Sequence, residues 1–320
     1  MALTLDNLSY LTRLVPLLAA MGCAEGTAEP KDSRARSNPS ELVGEFNVRL
    51  TAQNTATGAA ARSSVFGVVK DGPDPEPIAW HATDQGGDCT LFEPEAPFCE
   101  TSCGGRAICT GDDECTPYPT ARSVGTVELR GLGSGQLRLT PIAGNYMPDK
   151  GTLPYPPCSE GERVTLRAEG DDYAAFSLEA QCIAPLSFDA AIELAPGRDL
   201  QLAWGAPGDP ELARVSVKLD ISHHGGAKGT VECEASDTGE LTIPSALLDR
   251  LVELGVAGFP TLALTRRASS VADAEPRGIR LHVLETVELP VRVPGVVSCT
   301  ADPQCPNGQT CASNLTCQPG

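Results

Sequence analysis

Two short cysteine-rich segments constrain this chain more than any other feature of its sequence. The first holds five cysteines within residues 89–115, and the second, residues 298–320, holds four more. Neither segment has enough apolar residues to bury a core, so covalent crosslinks must supply its order. Because disulfide bonds persist only in oxidising compartments, the pattern predicts an exported protein.

The two segments share a cysteine spacing and are predicted to be a degenerate internal repeat. Three cysteines in each follow the pattern Cys-x5-Cys-x5-Cys. They are Cys103, Cys109 and Cys115 in the first segment, and Cys305, Cys311 and Cys317 in the second. Zinc binding is the alternative, but the close cysteine pairs and nearby histidines of zinc ribbons are absent from both segments. Disulfide clips are therefore the favoured interpretation.

Short alternating runs of apolar and polar residues recur between the two segments, separated by Gly- and Pro-rich turns such as GLGSG and GAPGDP. Strands at this spacing predict a sandwich or barrel, and the lack of crossover helices excludes a parallel α/β sheet. The predicted fold class is mainly β, an antiparallel β-sandwich with one short helix and two small disulfide-rich clips. The predicted strands are 124–132, 137–139, 164–166, 176–178, 200–204, 215–219, 230–233, 262–264, 279–283 and 287–293.

The stretch 198–258 contains both the clearest strand pattern and the helix. Its alternating runs 200–204, 215–219 and 231–233 predict three successive strands of a β-meander. Pro244 and Ser245 then begin a helix, because Pro suits the first turn and the apolar residues that follow have a 3.6-residue period. These residues are Leu247, Leu248, Leu251 and Leu254.

Composition excludes several classes of partner. The net charge of −18 and pI near 4.6 disfavour nucleic acid and anionic headgroups, because their phosphates would meet a repulsive field. Aromatic residues make up only 4% of the chain, so an aromatic-lined sugar or nucleotide platform is not indicated. Apolar runs stay shorter than the roughly 20 residues that span a bilayer.

The N-terminal 23 residues resemble a bacterial lipoprotein signal. An apolar segment, 14–20, lies between Arg13 and a small-residue site that ends in Cys23. The resemblance implies that Cys23 is lipidated and the preceding segment removed. Because Ala24 rather than Asp follows, it also implies delivery to the outer membrane. Lipidation of Cys23 leaves an even twelve cysteines for disulfides. An ordinary cleaved signal and a cytosolic apolar N-terminus are the alternatives.

The remaining boundaries follow composition. The segment after the signal mixes Pro, Ser and charge without apolar periodicity, which is typical of a tether. The first two strands cannot bury a face alone and are expected to pack on the main body. The predicted order is a signal peptide at 1–23, a flexible tether at 24–41, N-terminal strands at 42–88, a cysteine-rich clip at 89–120, a β-sandwich at 121–297 and a C-terminal clip at 298–320.

Each cysteine-rich segment resembles the small clips of extracellular EGF-like and knottin-like modules. Four cysteines allow three connectivities, and the sequence alone leaves them open. The resemblance implies the alternating one, Cys299 with Cys311 and Cys305 with Cys317.

A wider resemblance, to cysteine-rich surface lipoproteins of myxobacteria, covers most of the chain. It rests on the lipoprotein-like start, CTPYP at Cys115, VGTV at Val124 and the run VECEASDTGELTIPSALL. It implies a location and a fold class, and it carries no activity.

The other disulfides follow from counting. Five cysteines in the first segment cannot all pair locally, so one of them must reach Cys158, Cys182 or Cys233. Cys89 is assigned this role because it lies farthest from the repeat, and Cys99, Cys103, Cys109 and Cys115 are predicted to pair among themselves. Cys158 and Cys182 lie 24 residues apart, a span that suits a hairpin-like bridge. Cys233 is then left for Cys89. An immunoglobulin-type pair of Cys182 and Cys233 around Trp204 is disfavoured, because Trp204 lies too far after the first cysteine.

Ser222-His223-His224-Gly225-Gly226 is the sharpest candidate for chemistry. It superficially resembles the second metal motif of metallo-β-lactamase-fold hydrolases. The His-x-His-x-Asp-His motif of those enzymes is absent, and the other histidines are His81 and His282. A solvated loop is favoured, with His223 and His224 as weak metal candidates.

Three further candidates have simpler explanations. Asp112 and Asp113 offer oxygen ligands for calcium, but no calcium-loop spacing surrounds them, so a solvated turn is favoured. Ser134 lies in a Gly-rich run between strands, without the helix that a serine nucleophile elbow needs. Trp204 lies on the same face of its predicted strand as Leu200 and Leu202 and is predicted to anchor the core.

The sequence as a whole predicts an envelope-anchored, disulfide-stapled binding or scaffold protein with no evident catalytic site. Its predicted partners are the outer membrane, through the lipid anchor, and an envelope or matrix protein or polysaccharide; no nucleic acid or cofactor is predicted. The alternative is a secreted metal-dependent hydrolase that uses His223 and His224.

Overall fold

The computed structural model describes five stretches of the chain, residues 43–53, 58–148, 153–272, 278–306 and 308–320. All of them belong to one compact unit, Ser37–Gly320. The predicted signal peptide with Cys23 and the predicted tether, 24–41, lie outside the described residues.

The described residues form twenty-one strands, one α-helix and one 3-10 turn, Asp302–Gln304. The helix is α1, Ser245–Glu253. The strands are β1 (Gly44–Thr51), β2 (Arg62–Val69), β3 (Ala79–Gly86), β4 (Cys89–Glu95), β5 (Ala107–Gly111), β6 (Glu114–Pro117), β7 (Val127–Leu132), β8 (Gly135–Leu139), β9 (Pro141–Ile142), β10 (Asn145–Tyr146), β11 (Arg163–Ala168), β12 (Phe176–Gln181), β13 (Ile192–Glu193), β14 (Leu200–Ala203), β15 (Arg214–Asp220), β16 (Thr230–Ser236), β17 (Glu240–Ile243), β18 (Thr261–Val271), β19 (Ile279–Arg292), β20 (Gln309–Cys311) and β21 (Cys317–Pro319).

The predicted fold class, mainly β and sandwich-like, is confirmed. A large sheet runs in the order β3-β4-β16-β15-β18-β19-β1-β2-β10-β9, and β13 pairs with β19 beside this path. A four-stranded sheet, β12-β11-β7-β8, packs against one half of it. Three ribbons, β14-β17, β5-β6 and β20-β21, complete the described sheets.

One pairing near the middle of the large sheet is parallel, where the sequence predicts an antiparallel sandwich. β1 runs parallel to β19, from Gly44 opposite Ile279 to Leu50 opposite Glu285. A short parallel pair, β13 with β19, lies at the other end of β19. Parallel neighbours need a long connection between them, and here most of the described chain supplies it in place of a crossover helix.

The predicted meander is wrong at its first strand. β14 pairs with β17, with Leu202 opposite Leu241, whereas β15 and β16 pair with each other in the large sheet. The backbone N–H of Trp204 donates to Gly239 at 2.9 Å, which continues the pairing of β14 beyond its last residue on the β17 side. The β14-β17 ribbon therefore packs over the large sheet instead of joining it.

Two hydrophobic clusters share the inner face of the large sheet, and two long strands run through both. Leu262 and Leu264 of β18 belong to the second cluster, and Ala268 belongs to the first. The sequence predicts two strands where β19 is one, because 284–286 interrupts the simple apolar alternation. This segment contains no turn residue and stays paired with β18, so β19 continues for fourteen residues.

The predicted helix is confirmed as α1, which covers one end of the second cluster. Its Leu247, Leu248 and Leu251 are buried, and the N–H of Ser245 donates to Asp199 at 2.7 Å. Among the described residues, no helix combines the length and apolar character that a bilayer-spanning helix needs.

The described residues form six disulfides. Four of them are pairs that the sequence analysis names, and the other two join Cys99, Cys103, Cys109 and Cys115 among themselves. Within the first segment they alternate, as they do at the C-terminal end. The bonds are Cys89–Cys233, Cys99–Cys109, Cys103–Cys115, Cys158–Cys182, Cys299–Cys311 and Cys305–Cys317.

The predicted boundary of the first clip differs from the structure in one respect. Cys89 lies in β4, directly opposite Cys233 in β16, so residues 89–95 are a strand of the large sheet. The clip's own backbone pairing is the β5-β6 ribbon that follows.

Candidate functional site

The histidine pair lies in the loop between β15 and β16. The ring centroids of His223 and His224 are 3.9 Å apart. The carbonyl of His223 accepts the N–H of Phe259 at 2.8 Å, and Asp220, the acid before the loop, accepts the N–H of Ser222 at 2.8 Å. These hydrogen bonds fix the backbone of the loop, and the carboxylate of Asp220 accepts one of them.

In the described part of the chain, no group of potential metal ligands surrounds the two histidines. Two groups of three potential ligands occur there, Cys99 with Cys103 and Cys115, and Cys299 with Cys305 and Cys317. All six sulfurs are held in disulfides and are not thiolates. Neither group includes His223 or His224.

The two aspartates of the first clip stabilise its backbone. Asp112 accepts the N–H of Phe98 at 3.1 Å, and Asp113 accepts the N–H of Glu100 at 2.9 Å. Each carboxylate therefore ties the start of the clip to the β5-β6 turn. This geometry gives the acidic pair a structural role in the clip.

Trp204 is buried in the second cluster, as predicted, and its ring is part of a buried ionic network. Its Nε1 donates to Asp237 at 2.7 Å, and the same carboxylate receives two N–H groups of Arg266. Both charged side chains are fully buried. The other guanidinium N–H groups donate to the carbonyls of Ala184, Pro185 and Gly205.

A second buried carboxylate, Glu285, lies opposite Arg266 in the sheet. It accepts the hydroxyl of Tyr155 at 2.9 Å and the N–H of Leu186 at 2.7 Å. Burial, together with this acceptor, raises the pKa of the Tyr155 hydroxyl well above its usual value. In both buried networks the charged side chains are hydrogen-bonded to protein partners, as structural charges usually are.

A cleft of about 610 Å³ opens beside the β7-β8 hairpin, lined mainly by Gly, Pro and the ends of β7 and β11. Glu162 contributes a carboxylate to the lining, and this carboxylate accepts the N–H of Ser159 at 2.7 Å. Ser134 lies in the hairpin turn itself, because Leu132 pairs with Gly135. The Gly-rich run is thus a strand connection, as the sequence predicts.

The outer face of the large sheet is the best candidate for a binding surface. In β1 the buried Phe46, Val48 and Leu50 face the first cluster, so Asn47 and Arg49 face the opposite side. The same alternation in β18 places Ala268 inward and Arg267 outward.

Strand register brings the outward arginines into one row. Arg214 of β15 lies opposite Arg267 of β18, Arg267 lies opposite Leu284 of β19, and Leu284 lies opposite Arg49 of β1. Four adjacent strands make this row about 14 Å long. With two further outward arginines, it forms what we call the arginine face: Arg49, Arg62, Arg214, Arg267 and Arg280.

A neutral row borders the arginines. Ser269, His282, Asn47 and Phe66 lie opposite one another on four successive strands. Ser269 Oγ and His282 Nδ1 share a hydrogen bond of 2.7 Å. Burial and, to a lesser degree, the charges of Arg267 and Arg280 lower the pKa of His282 to about 4. His282 is therefore uncharged at neutral pH, and the positive charge of this face comes from the arginines.

Sequence reasoning missed the arginine face because its members are scattered along the chain. The only local signal is the alternation of arginine with apolar residues, as in Val48-Arg49-Leu50. That signal identifies an outward position on one strand. It cannot say which arginines become neighbours, because strand order and register decide this.

Comparison with known proteins adds little. No family model matches the chain, and no curated protein matches it. A crystal structure of chicken CNTN1 FN1-FN3 domains aligns at 8% identity over 73% of this chain and 80% of that one, with a TM-score of 0.19. A structure that concerns host cell surface retention of a 1.5-MDa bacterial ice-binding adhesin aligns at 7% identity over 67% of this chain and 59% of that one, with a TM-score of 0.17. These similarities are too weak to support a conclusion about fold or function.

Proposed function

We propose that this protein is an exported binding or scaffold protein, held at the outer membrane by lipid on Cys23, and that it catalyses no reaction. Its six disulfides indicate an exported or extracellular protein. The lipid anchor, the membrane and the surface-lipoprotein identity rest on the resemblance of the N-terminal segment.

The binding role is supported mainly by the exposed side chains on the outer face of the large sheet. Its inner face is covered by the four-stranded sheet and the β14-β17 ribbon. On the outer face, Arg49, Ser64, Phe66 and Ser269 are exposed. A sheet fixed on one side by two cores presents such side chains in a constant arrangement, which lowers the entropic cost of binding.

The non-catalytic part of the proposal is supported by how the candidate side chains are used. Asp112 and Asp113 bond backbone N–H groups, Asp237 bonds Arg266, and Glu285 bonds Tyr155. A general acid or base needs a free position toward a substrate.

Co-sedimentation of the purified, oxidised protein with isolated envelope and matrix material tests the binding role. We expect saturable retention that is lost when the disulfides are reduced and the protein unfolds. Retention that rises linearly with protein concentration, or equal retention of the unfolded chain, would contradict the proposal.

Metal analysis tests the alternative of a hydrolase. We expect no stoichiometric zinc or manganese in the purified protein. Stoichiometric metal that is lost together with hydrolase activity in His224→Ala would establish the alternative, and His81→Ala is the matched control.

Detergent partition tests the anchor independently. Each buried methylene of an acyl chain contributes about 0.8 kcal/mol, so a multiply acylated protein should enter the detergent phase of Triton X-114. Cys23→Ser should move it to the aqueous phase. A wild-type protein that is already aqueous and begins after Cys23 would replace anchoring by ordinary secretion.

A further inference from the structure

We propose that the arginine face binds an acidic polysaccharide, a sugar polymer whose carboxylate or sulfate groups pair with the arginines. The proposal rests on the binding role proposed above and names the chemical class of the ligand.

Charge on the outer face of the large sheet is segregated. The half that backs the first cluster carries Arg49, Arg62, Arg267 and Arg280 and one acid, Glu45. Arg214 lies at the border between the two halves, where it pairs with Glu234 at 3.9 Å. The half that backs the second cluster is mainly acidic, with Glu232, Glu234 and Glu288 around Lys218 and with Glu193 paired to Arg292. In a chain of net charge −18, a concentration of arginines on one face marks a surface suited to an anionic partner.

The geometry of the arginine row favours an extended ligand with repeated acid groups. Arg214 and Arg49 are exposed at its two ends, and Arg267 is half-buried between them. A guanidinium group offers a planar fork of N–H donors that matches a carboxylate or sulfate in two-point contact. Anchors spread over about 14 Å suit a polymer better than a single small anion.

The neutral row supplies the contacts that a sugar ring needs. Phe66, 39% exposed, presents an apolar ring surface to the C–H groups of a sugar, and Asn47 beside it offers an amide for hydroxyl groups. Nucleic acid fits less well, because its dense phosphates would meet the negative charge of the rest of the chain. A polysaccharide with sparser charges meets less repulsion, and at physiological salt distant charges are screened beyond about 8 Å.

A second copy of this chain is the competing occupant, since the acidic half of one outer face could meet the arginine half of another. Two copies of charge −18 repel each other. The face is also mainly polar, whereas stable dimers bury a large apolar core. We therefore assign the face to the polysaccharide, and the oligomeric state becomes a readout of the test.

Calorimetric titration of the folded, oxidised protein with defined polymers tests the proposal. Alginate provides carboxylates, chondroitin sulfate adds sulfates, and neutral dextran is the uncharged control. We expect binding of at least one acidic polymer and none of dextran, and the preferred polymer identifies the acid group.

The double variant Arg49→Gln/Arg267→Gln should bind at least tenfold more weakly. The matched variant Arg130→Gln/Arg163→Gln, which removes the same charge from exposed positions on the four-stranded sheet, should stay within twofold.

Several results would overturn this assignment. The first is binding of dextran as tight as that of the acidic polymers, and the second is an equal loss of polymer affinity in both double variants. The third is that Arg49→Gln/Arg267→Gln abolishes a dimer seen for the wild type in sedimentation velocity but still binds the polymer as the wild type does. If neither acidic polymer binds while envelope retention persists in the co-sedimentation assay, the binding role stands and the arginine face is not its site. If the folded wild-type protein is not retained by envelope material, both proposals are wrong. Unchanged disulfides and thermal midpoint in both variants ensure that each result concerns binding.

Discussion

Arg266 on β18 lies directly opposite Glu285 on β19, and both side chains are fully buried where one hydrophobic cluster gives way to the other. The two charges use different partners. Arg266 bonds Asp237 and nearby carbonyls, and Glu285 bonds Tyr155 and a backbone N–H. Because of this polar layer, the two long strands continue from one core to the next. Its hydrogen bonds also hold the segments that contain Tyr155, Leu186 and Asp237 at the junction.

Removing Arg266 should destabilise the whole fold. In Arg266→Ala, Asp237 is left as a buried, uncompensated charge, and three carbonyl oxygens lose their donor. Breaking a buried ion pair from one side typically costs about 3–5 kcal/mol. We expect a loss of this size in the free energy of unfolding, measured by urea denaturation followed through tryptophan fluorescence.

Arg163→Ala is the surface control for that experiment. Arg163 pairs with Glu179 at 3.0 Å, and both side chains are largely exposed. Exposed pairs contribute about 0–1 kcal/mol. Equal losses in the two variants would mean that the buried network does not stabilise the junction.

The parts of the fold that were predictable are those encoded by local periodicity. Alternation in 215–219 and the 3.6-residue period of Leu247, Leu248 and Leu251 place strand β15 and helix α1 correctly. Cysteine counting similarly leads to Cys89 with Cys233, because one cysteine of the odd cluster must leave it.

Features that depend on distant partners were not predictable. The C-terminal part of β18 has a polar sequence that includes Arg266, Arg267 and Ser269. From the sequence, only 262–264 is therefore expected to be a strand. Arg266 is buried because Asp237, 29 residues away, meets it there. The parallel pairing of β1 with β19 and the arginine row likewise arise from strand order, which no local pattern contains.

A glycine in the β7-β8 hairpin offers a test of close backbone approach. Gly131 has a φ of 89°, and a Cβ at this position would lie 2.0 Å from the carbonyl oxygen of Arg163. Gly135 has a similar φ of 83°, with open space around it. The positive φ alone costs an Ala about 1–2 kcal/mol. Overpacking adds about 1–3 kcal/mol at Gly131 only. Thermal denaturation should therefore rank Gly131→Ala well below Gly135→Ala, and equal midpoints would show that the backbone relaxes freely.

The disulfides should differ in their contribution to stability according to the loops they close. Cys89 and Cys233 are 144 residues apart in sequence, and Cys305 and Cys317 are 12 apart. Chain entropy predicts about 5 kcal/mol for the longer loop and about 3 kcal/mol for the shorter one. Replacing each pair by two alanines and measuring urea midpoints should give the larger loss for Cys89→Ala/Cys233→Ala. A larger loss from the C-terminal pair would show that native packing, not chain entropy, dominates.

His282 should make the stability of the fold depend on pH. Its burial, with the charges of Arg267 and Arg280, lowers its pKa from 6.5 to about 4. Between these values the unfolded chain binds the proton and the folded chain does not, so acid favours unfolding. The contribution of His282 is therefore complete above about pH 6.5, and it is lost progressively as the pH falls toward 4, by at most about 3 kcal/mol.

Carboxylates also titrate in this range, so the effect is read from a difference between variants. His282→Asn keeps a partner for Ser269 and removes the titrating ring, and His81→Asn alters an exposed histidine on β3. Urea denaturation at pH 7.5, 5.5 and 4.5 should show the stability of the wild type falling toward that of His282→Asn as the pH decreases. The difference between the wild type and His81→Asn should change by less than about 1 kcal/mol, because an exposed ion pair contributes little. A difference between the wild type and His282→Asn that stays constant from pH 7.5 to 4.5 would show that the buried ring does not titrate with folding.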